Sequence, residues 1–251
     1  MDALILCGGY AKRLEPLSLF IPKALLPVNG RPLLDNIVDD LLSCQEVERI
    51  IISTNAKFAD QFKYYIEGKR RVGSAKKIDL IVEPTVSNEQ KFGSIGAIHF
   101  AINREKIASD LLIVFGDNYF DFGVKPLIDS VKSNGSAAIA LFEASSRDDA
   151  KRFGVVELKG SRIVGFEEKP EEPKTLLLST GIYLFPKSSI GMFDSYIMEK
   201  NNPDAMGNFV KWYIGRSDAE GIVCKGRWID IGNLETYRQL FEQLGTGEPK
   251  P

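Results

Sequence analysis

The chain has 251 residues, 44% of them hydrophobic and 26% charged, with 32 basic against 34 acidic side chains and a net charge of −2. That size suits one large α/β domain or two small ones with an ample core. The even charge balance argues against a nucleic-acid-binding or membrane-surface protein, and for charge concentrated at a small-molecule site.

Residues 3–7 are an apolar run that predicts a buried parallel strand, ending at the paired glycines Gly8 and Gly9. Pro32-Leu33-Leu34 opens a predicted helix that continues through Ile37, Val38, Leu41 and Leu42 at helical spacing. Residues 47–53 predict the next strand, 58–66 a second amphipathic helix and 78–82 a third strand, with Lys69-Arg70-Arg71 and Lys76-Lys77 bracketing a loop. Residues 83–93, EPTVSNEQKFG, form a polar loop; a helix begins over 94–102, and a fourth strand over 110–115 ends at Gly116-Asp117. This alternation predicts an open parallel sheet with helices on both faces. Ligands on such sheets bind outside the carboxyl ends of the strands, and Gly8, the 83–93 loop and Asp117 all fall at such ends.

The second half has a different rhythm. A helix over 124–131 and a strand over 137–143 lead to a hairpin, 153–158 with 162–167, turning at Lys159-Gly160-Ser161. A Pro- and Glu-rich loop over 169–174 precedes a strand over 176–185, helices over 188–200 and 207–214, a strand over 221–225 and a closing helix over 234–244. Residues 246–251 read as a flexible tail. The change of composition near residue 135 suggests two lobes, 1–134 and 135–245, of one domain.

No window reaches the apolar length of a membrane span. The N-terminal apolar run is too short for a signal peptide and lacks its basic start. Cys7, Cys44 and Cys224 are widely spaced and read as buried thiols in a reducing compartment, so a cytoplasmic protein is expected. His99, the single histidine, lies in a helix-like run and reads as structural, which disfavours a histidine base or a His-rich metal site.

Paired glycines after a buried strand let the backbone turn sharply and approach an anion, and nearby cations such as Lys12, Arg13 and Lys23 can neutralise phosphate. The same residues also fit an ordinary strand-to-loop turn with solvated basic side chains. Asp117 and Asp230, the latter in Trp228-Ile229-Asp230-Ile231-Gly232, each sit at the end of an apolar run. Such an acid is costly unless capped, paired or metal-bound. Two carboxylates would suit Mg²⁺, which takes one or two together with substrate phosphate oxygens; a turn cap is the plain alternative for either. Glu168 and Lys169 read, on their own, as a solvated pair on a loop.

Neither G-x-x-x-x-G-K-[S/T] nor G-x-G-x-x-G occurs, since after Gly9 the next glycine is Gly30. Instead Gly8-Gly9-Tyr10-Ala11-Lys12-Arg13-Leu14-Glu15-Pro16-Leu17-Ser18, followed by Pro22-Lys23-Ala24-Leu25-Leu26-Pro27-Val28, resembles the signature of the sugar-phosphate nucleotidylyltransferases, G-G-x-G-T-R-L-x-P-L-T and P-K-x-L-x-P-V. Further segments resemble that family in the same order. They are Gly93-Ser94-Ile95-Gly96-Ala97 (G-T-A-G-A), Phe115-Gly116-Asp117, Phe153-Gly154-Val155-Val156 (Y-G-V-V), Phe166-Glu167-Glu168-Lys169-Pro170 (F-x-E-K-P), Ser179-Thr180-Gly181-Ile182-Tyr183 (N-A-G-I-Y) and the Trp228–Gly232 run. They span nearly the whole chain.

The resemblance implies a three-layer α/β/α, Rossmann-like mixed sheet, the nucleotide-diphospho-sugar transferase fold, as a single catalytic domain with a small β-rich sugar-binding lobe. It implies a sugar 1-phosphate, such as glucose 1-phosphate, and an NTP as substrates, with dTTP or UTP favoured over GTP, and Mg²⁺ as cofactor. Arg13 and Lys23 would be catalytic. Leu6, Gly8, Gly9, Lys12, Asn88, Glu89 and Gly93 would bind the nucleotide; Gly154, Glu168, Lys169, Ser179 and Gly181 the sugar phosphate; Asp117 and Asp230 the metal. Asn88 and Glu89 are the candidates for reading the base. The anionic nucleophile needs no general base, in keeping with the single histidine. The resemblance is compatible with a homo-oligomer and implies no nucleic-acid or membrane partner.

Departures from the pattern touch substrate choice more than reaction class. Ala11 stands where the signature has glycine, Lys12 where it has threonine, and Ser179 where it has asparagine. If residue 11 needs a positive φ, Ala11 is strained. Rival readings are a cytidylyltransferase for a non-sugar alcohol phosphate and a nucleotide-sugar-binding regulator without turnover. A nicotinamide oxidoreductase is disfavoured by the missing fingerprint.

Overall fold

The computed structural model describes residues 1–71 and 76–245; the loop expected between Arg71 and Lys76 and the tail expected at 246–251 lie outside the described residues. In chain order the first half is β1 (Asp2–Leu6), β2 (Pro27–Val28), β3 (Arg31–Pro32), α1 (Leu34–Ser43), β4 (Arg49–Asn55), α2 (Ala59–Arg71), β5 (Lys77–Glu83), α3 (Gly93–Glu105), β6 (Leu111–Phe115), β7 (Asn118–Phe120) and α4 (Lys125–Asn134). The second half is β8 (Ala137–Glu143), α5 (Arg147–Ala150), β9 (Gly154–Lys159), β10 (Arg162–Glu168), β11 (Leu177–Phe185), α6 (Gly191–Met198), α7 (Met206–Ile214), β12 (Ala219–Val223), β13 (Trp228–Asp230) and α8 (Leu234–Gly245).

Nine strands form one mixed sheet in the order β5-β4-β1-β6-β11-β8-β12-β10-β9. β5, β4, β1 and β6 run parallel. β11 lies antiparallel between β6 and β8, so a strand from the second half is built into the middle of the sheet. Its nine residues are almost all buried, as a central strand covered on both faces must be.

Strand alternation sorts the apolar residues into two cores. Ala3, Ile5, Ile50, Ile52, Leu112 and Val114 point to one face, where Leu34, Ile37, Val38 and Leu41 of α1, Phe62 and Ile66 of α2 and Leu127, Ile128 and Val131 of α4 cover them. Leu4, Ile51, Leu111 and Ile113 point to the other, under Ile95, Ile98 and Ala101 of α3, Phe193 and Tyr196 of α6 and Phe209, Val210 and Tyr213 of α7. This is the expected three-layer arrangement. Each of these large side chains contributes about 1.5–3 kcal/mol by burial, so the sheet that carries the site is held firmly from both faces.

A smaller core fixes the glycine-rich segment. Leu14, Leu26, Val28 and Leu33 pack with Ile231 and with Leu240 of α8. Asn233 starts α8 by accepting the Thr236 amide at 2.9 Å through its side-chain oxygen. The last helix therefore braces the first loop. No helix of the described residues is long and apolar enough to cross a membrane.

Candidate active site

Two cavities open over the carboxyl ends of the parallel strands. The first, of about 430 Å³, is lined by Leu6, Gly8, Gly9, Lys12, Arg13, Lys23, Glu83, Asn88, Lys91, Gly93 and Asp117, among others. The second, of about 700 Å³, is lined by Arg152, Gly154, Glu168, Lys169, Ser179, Gly181, Trp228 and Asp230, among others. Arg13, Lys91, Ser94, Phe115, Asp117 and Asp204 line both, so the two are joined. Both volumes fall in the range of small-molecule sites.

Asp117 follows β6 and Asp230 ends β13, far apart in sequence. They meet because β13 pairs antiparallel with β7, with Asp230 opposite Asn118, and the Ile231 amide donates to the Asp117 carbonyl at 3.0 Å. Trp228 ties this ribbon to the main sheet: its indole N–H donates to Asn118 Oδ1 at 2.9 Å and to the Thr180 carbonyl at 3.1 Å, and its ring stands edge-on to Phe153. The positive φ of Gly181 (81°) brings β11 close enough that a Cβ there would lie 3.0 Å from Asn118 Nδ2.

The electrostatics of the pair follow from that packing. Burial, and then the neighbouring Asp117 carboxylate, push the Asp230 carboxyl up to about 6 against an ordinary 3.8, while Lys23, Arg13 and Arg152 pull it back. Lys23 Nζ sits 2.8 Å from Asp117 Oδ2 and is itself largely buried. The oxygens of two neighbouring carboxylates are a donor set that would suit a divalent cation taking its remaining ligands from substrate oxygens. No cluster of three or more His, Cys, Asp or Glu side chains able to hold a metal occurs among the described residues.

The glycine-rich segment is a chain of short turns. Ala11 has φ 48° and ψ 42°, the left-handed conformation a glycine would take without strain. Its carbonyl accepts both the Leu14 amide and the Ser18 hydroxyl at 2.8 Å, which holds the turn in place. Lys23 opens a 3-10 turn after Pro22. Arg13 is exposed and, among the described residues, has no ion-pair partner. Gly8 packs against the Glu83 carboxyl: a Cβ would lie 2.6 Å from Glu83 Oε1, so any larger residue has to displace that group.

Lys169 also takes a left-handed backbone, φ 49°, immediately before Pro170, and its amide donates to the Phe153 carbonyl at 3.0 Å. Its ammonium lies 3.8 Å from Glu168 Oε1. Burial raises the Glu168 carboxyl, and Lys169 partly offsets this. Ser179 is buried and its hydroxyl pairs with the Tyr183 hydroxyl at 2.9 Å.

All the candidate residues except Glu89 therefore line one cavity or the other. Glu89 forms an exposed ion pair with Lys12 at 3.2 Å on the rim of the first. Residues not singled out from sequence line the cavities as well, among them the charged Glu83, Lys91, Lys151, Arg152 and Asp204. Glu83 is the most informative. It ends β5, is 3% exposed, and accepts the Ser53 hydroxyl at 2.9 Å; burial raises its carboxyl. A buried acid ending a strand was the available signal, masked by reading residue 83 as the start of a polar loop. All three cysteines are buried and unpaired. His99 pairs with Asp194 at 2.7 Å, joining α3 to α6 away from both cavities.

A family model described as nucleotidyl transferase matches residues 2–247. Over 98% of the chain, a Sulfolobus acidocaldarius protein assigned as a mannose-1-phosphate guanyltransferase is 30% identical, and the bifunctional protein GlmU of Methanocaldococcus jannaschii is 27% identical. The chain spans 64% and 56% of the length of these two proteins. A crystal structure from Bacillus anthracis, assigned as a glucose-1-phosphate thymidylyltransferase and solved with sucrose, superposes with a TM-score of 0.84 over 100% of this chain and 98% of that one, at 24% identity; it shares the fold.

Proposed function

The chain belongs to the nucleotidyl transferase family, and from that premise we propose that it joins a hexose 1-phosphate to a nucleoside triphosphate, releasing pyrophosphate and leaving a nucleotide sugar. The observation that carries the reading is the meeting of Arg13, Lys23, Asp117 and Asp230 where a cavity of about 430 Å³ joins one of about 700 Å³. Two anionic substrates must touch at one phosphorus, and charge-neutralising groups are needed there.

In this reading the triphosphate lies along the first cavity and the sugar phosphate in the second. An oxygen of the sugar phosphate attacks the α-phosphorus in line, the bond to the β-phosphate oxygen breaks, and pyrophosphate leaves. Lys23 neutralises the α-phosphoryl oxygens, and the unpaired Arg13 holds the triphosphate and the leaving group. Lys169 holds the sugar phosphate and Glu168 the sugar hydroxyls. Asp117 and Asp230 would hold Mg²⁺, which supplies charge to both phosphates. The lobes at 1–134 and 135–245 belong to the same proposal: Asp204 is the one lining residue of the first cavity that lies beyond residue 134. The buried, unpaired cysteines suit a reducing cytoplasm.

Glu83 bears on the base. A carboxylate matches the adjacent N–H donors of guanine, whereas a protonated carboxyl matches the N–H and C=O edge of uracil or thymine. Burial favours the protonated form, which supports dTTP or UTP over GTP. The test is a pyrophosphate-release screen of NTPs and dTTP against several sugar 1-phosphates with Mg²⁺, run beside Asp117→Ala. Release with one pair, lost in that variant while the circular dichroism is unchanged, is expected. Undiminished release from the variant refutes the metal assignment.

A further inference from the structure

Two exposed ion pairs cross the mouth of the cleft. Lys12 lines the first cavity and holds Glu89 outside it, whereas Lys91 Nζ and Asp204 Oδ1, 2.7 Å apart, stand at the join, because both residues line both cavities. The backbone under the second pair is fixed. The Ser94 amide and hydroxyl both donate to the Asp204 carbonyl, at 3.0 and 3.1 Å, and the Ile95 amide donates to the Pro203 carbonyl at 3.0 Å. Gly93 packs so closely there that a Cβ would lie 2.5 Å from Asp204 Cα. The side chains above this fixed base are about half exposed, 48% for Lys91 and 53% for Asp204. A solvated pair of that kind is cheap to break.

We propose that Lys91 is a substrate-binding residue that exchanges Asp204 for the phosphate bridging the two cavities. The inference rests on the reading above and goes beyond it in assigning a residue. Once the sugar phosphate has attacked the α-phosphorus, its phosphate and the α-phosphate form one diphosphate. That diphosphate must straddle the join, so a cation lining both cavities faces it in the transition state and in the product. A nucleoside monophosphate fills the first cavity alone and meets Lys91 only at its edge. Asp204 serves as the counter-ion that keeps Lys91 from drawing in stray anions when the cleft is open.

The roles of the two residues are separable because they predict opposite effects. If the pair were only a brace for the loop, breaking it from either side would do the same damage. If Lys91 binds substrate, Lys91→Ala weakens binding and Asp204→Asn strengthens it by freeing the ammonium.

The experiment is calorimetric titration of the whole chain with UDP-glucose, dTDP-glucose and GDP-mannose and with the matching nucleoside monophosphates. For the nucleotide sugar that the wild type binds, Lys91→Ala is expected to lose about tenfold or more in affinity while the monophosphate changes by less than about twofold. Lys91→Arg recovers most of the loss, and Asp204→Asn binds the nucleotide sugar about two- to fivefold more tightly. In turnover, Lys91→Ala raises the KM for sugar 1-phosphate more than that for the NTP. Equal losses in Lys91→Ala and Asp204→Asn, or an unchanged nucleotide-sugar affinity in Lys91→Ala, overturn the assignment while leaving the proposed reaction standing. A wild type that binds none of the three nucleotide sugars and releases no pyrophosphate from any NTP and sugar 1-phosphate pair overturns both.

Discussion

Replacing Asp230 by Asn tests whether the paired carboxylates are held for a cation at the expense of stability. Asp230 is pushed up to about 6 from 3.8 by burial and by Asp117. Two pKa units at about 1.4 kcal/mol each set a ceiling of about 3 kcal/mol. Partial contact with solvent through the open cleft brings the expected cost to about 1–2 kcal/mol. A carboxyl whose folded-state pKa is raised carries no such cost below about pH 4, where it is protonated in both states. The cost is complete above about pH 6, so the wild type loses this increment as pH rises between the two.

Asp230→Asn lacks that titration. In metal-free buffer at pH 7.5 its melting temperature should exceed that of the wild type by about 2–8 °C, using about 2–4 °C per kcal/mol for a domain of this size. The gain should shrink towards zero by about pH 4. The same variant should lose Mg²⁺-dependent pyrophosphate release. In the wild type, activity should fall below about pH 6 and recover on adding Mg²⁺, because protons and metal compete for one carboxyl. Thermal scans across pH, with and without EDTA, make the measurement. A variant that melts below the wild type at pH 7.5, or a gain equal at pH 4 and pH 7.5, refutes the reasoning.

Other changes probe separate parts of the cleft. Lys23→Ala should lower kcat about a hundredfold or more and melt below the wild type because Asp117 loses its partner, and a rate within threefold of wild type, about 0.6 kcal/mol, would remove Lys23 from the reaction. Lys169→Ala should raise the KM for the sugar phosphate at least about tenfold while the NTP KM moves less than about threefold; equal shifts count against its placement on the sugar phosphate. Glu83→Gln should keep dTTP or UTP use within about threefold, since the amide offers one acceptor and one donor, and should cost any GTP use about tenfold or more. A wild type that prefers GTP and keeps it in that variant would sink the base assignment. Trp228→Phe removes the donor shared by Asn118 and Thr180 and should cost about 1–3 kcal/mol in denaturant melts, with turnover lost in parallel because Asp230 rides on the same ribbon.

Much of the architecture was legible because its causes are local. The alternation that sends Ala3 and Ile5 to one core and Leu4 to the other is a property of five consecutive residues, and the stripe Leu34, Ile37, Val38, Leu41 is a property of ten. Most of the longer strands and helices accordingly fall within a few residues of their expected bounds, though α2 runs on to Arg71, and the short β2, β3, β7, β13 and α5 had no local pattern to announce them. The left-handed turn at Ala11 was foreseeable as a condition, and the structure meets it. The Gly8-Gly9, Asp117 and Trp228–Gly232 segments announced themselves as ordered motifs, which is how the family was legible before any geometry.

The charges of the site were decided only by the tertiary structure. The insertion of β11 between β6 and β8, and the pairing of β13 with β7, join segments that no local pattern connects. The pairing of β13 with β7 makes Asp117 and Asp230 neighbours, while the fold also brings Lys23 onto Asp117 and buries Glu83 beside Gly8. A side chain's residue type is written in the chain, but its protonation depends on how much water it keeps and which charges face it. Both depend on contacts between residues far apart in sequence. Residue types and spacing therefore pointed to phosphate chemistry, and the fold decided which charged groups share one cleft.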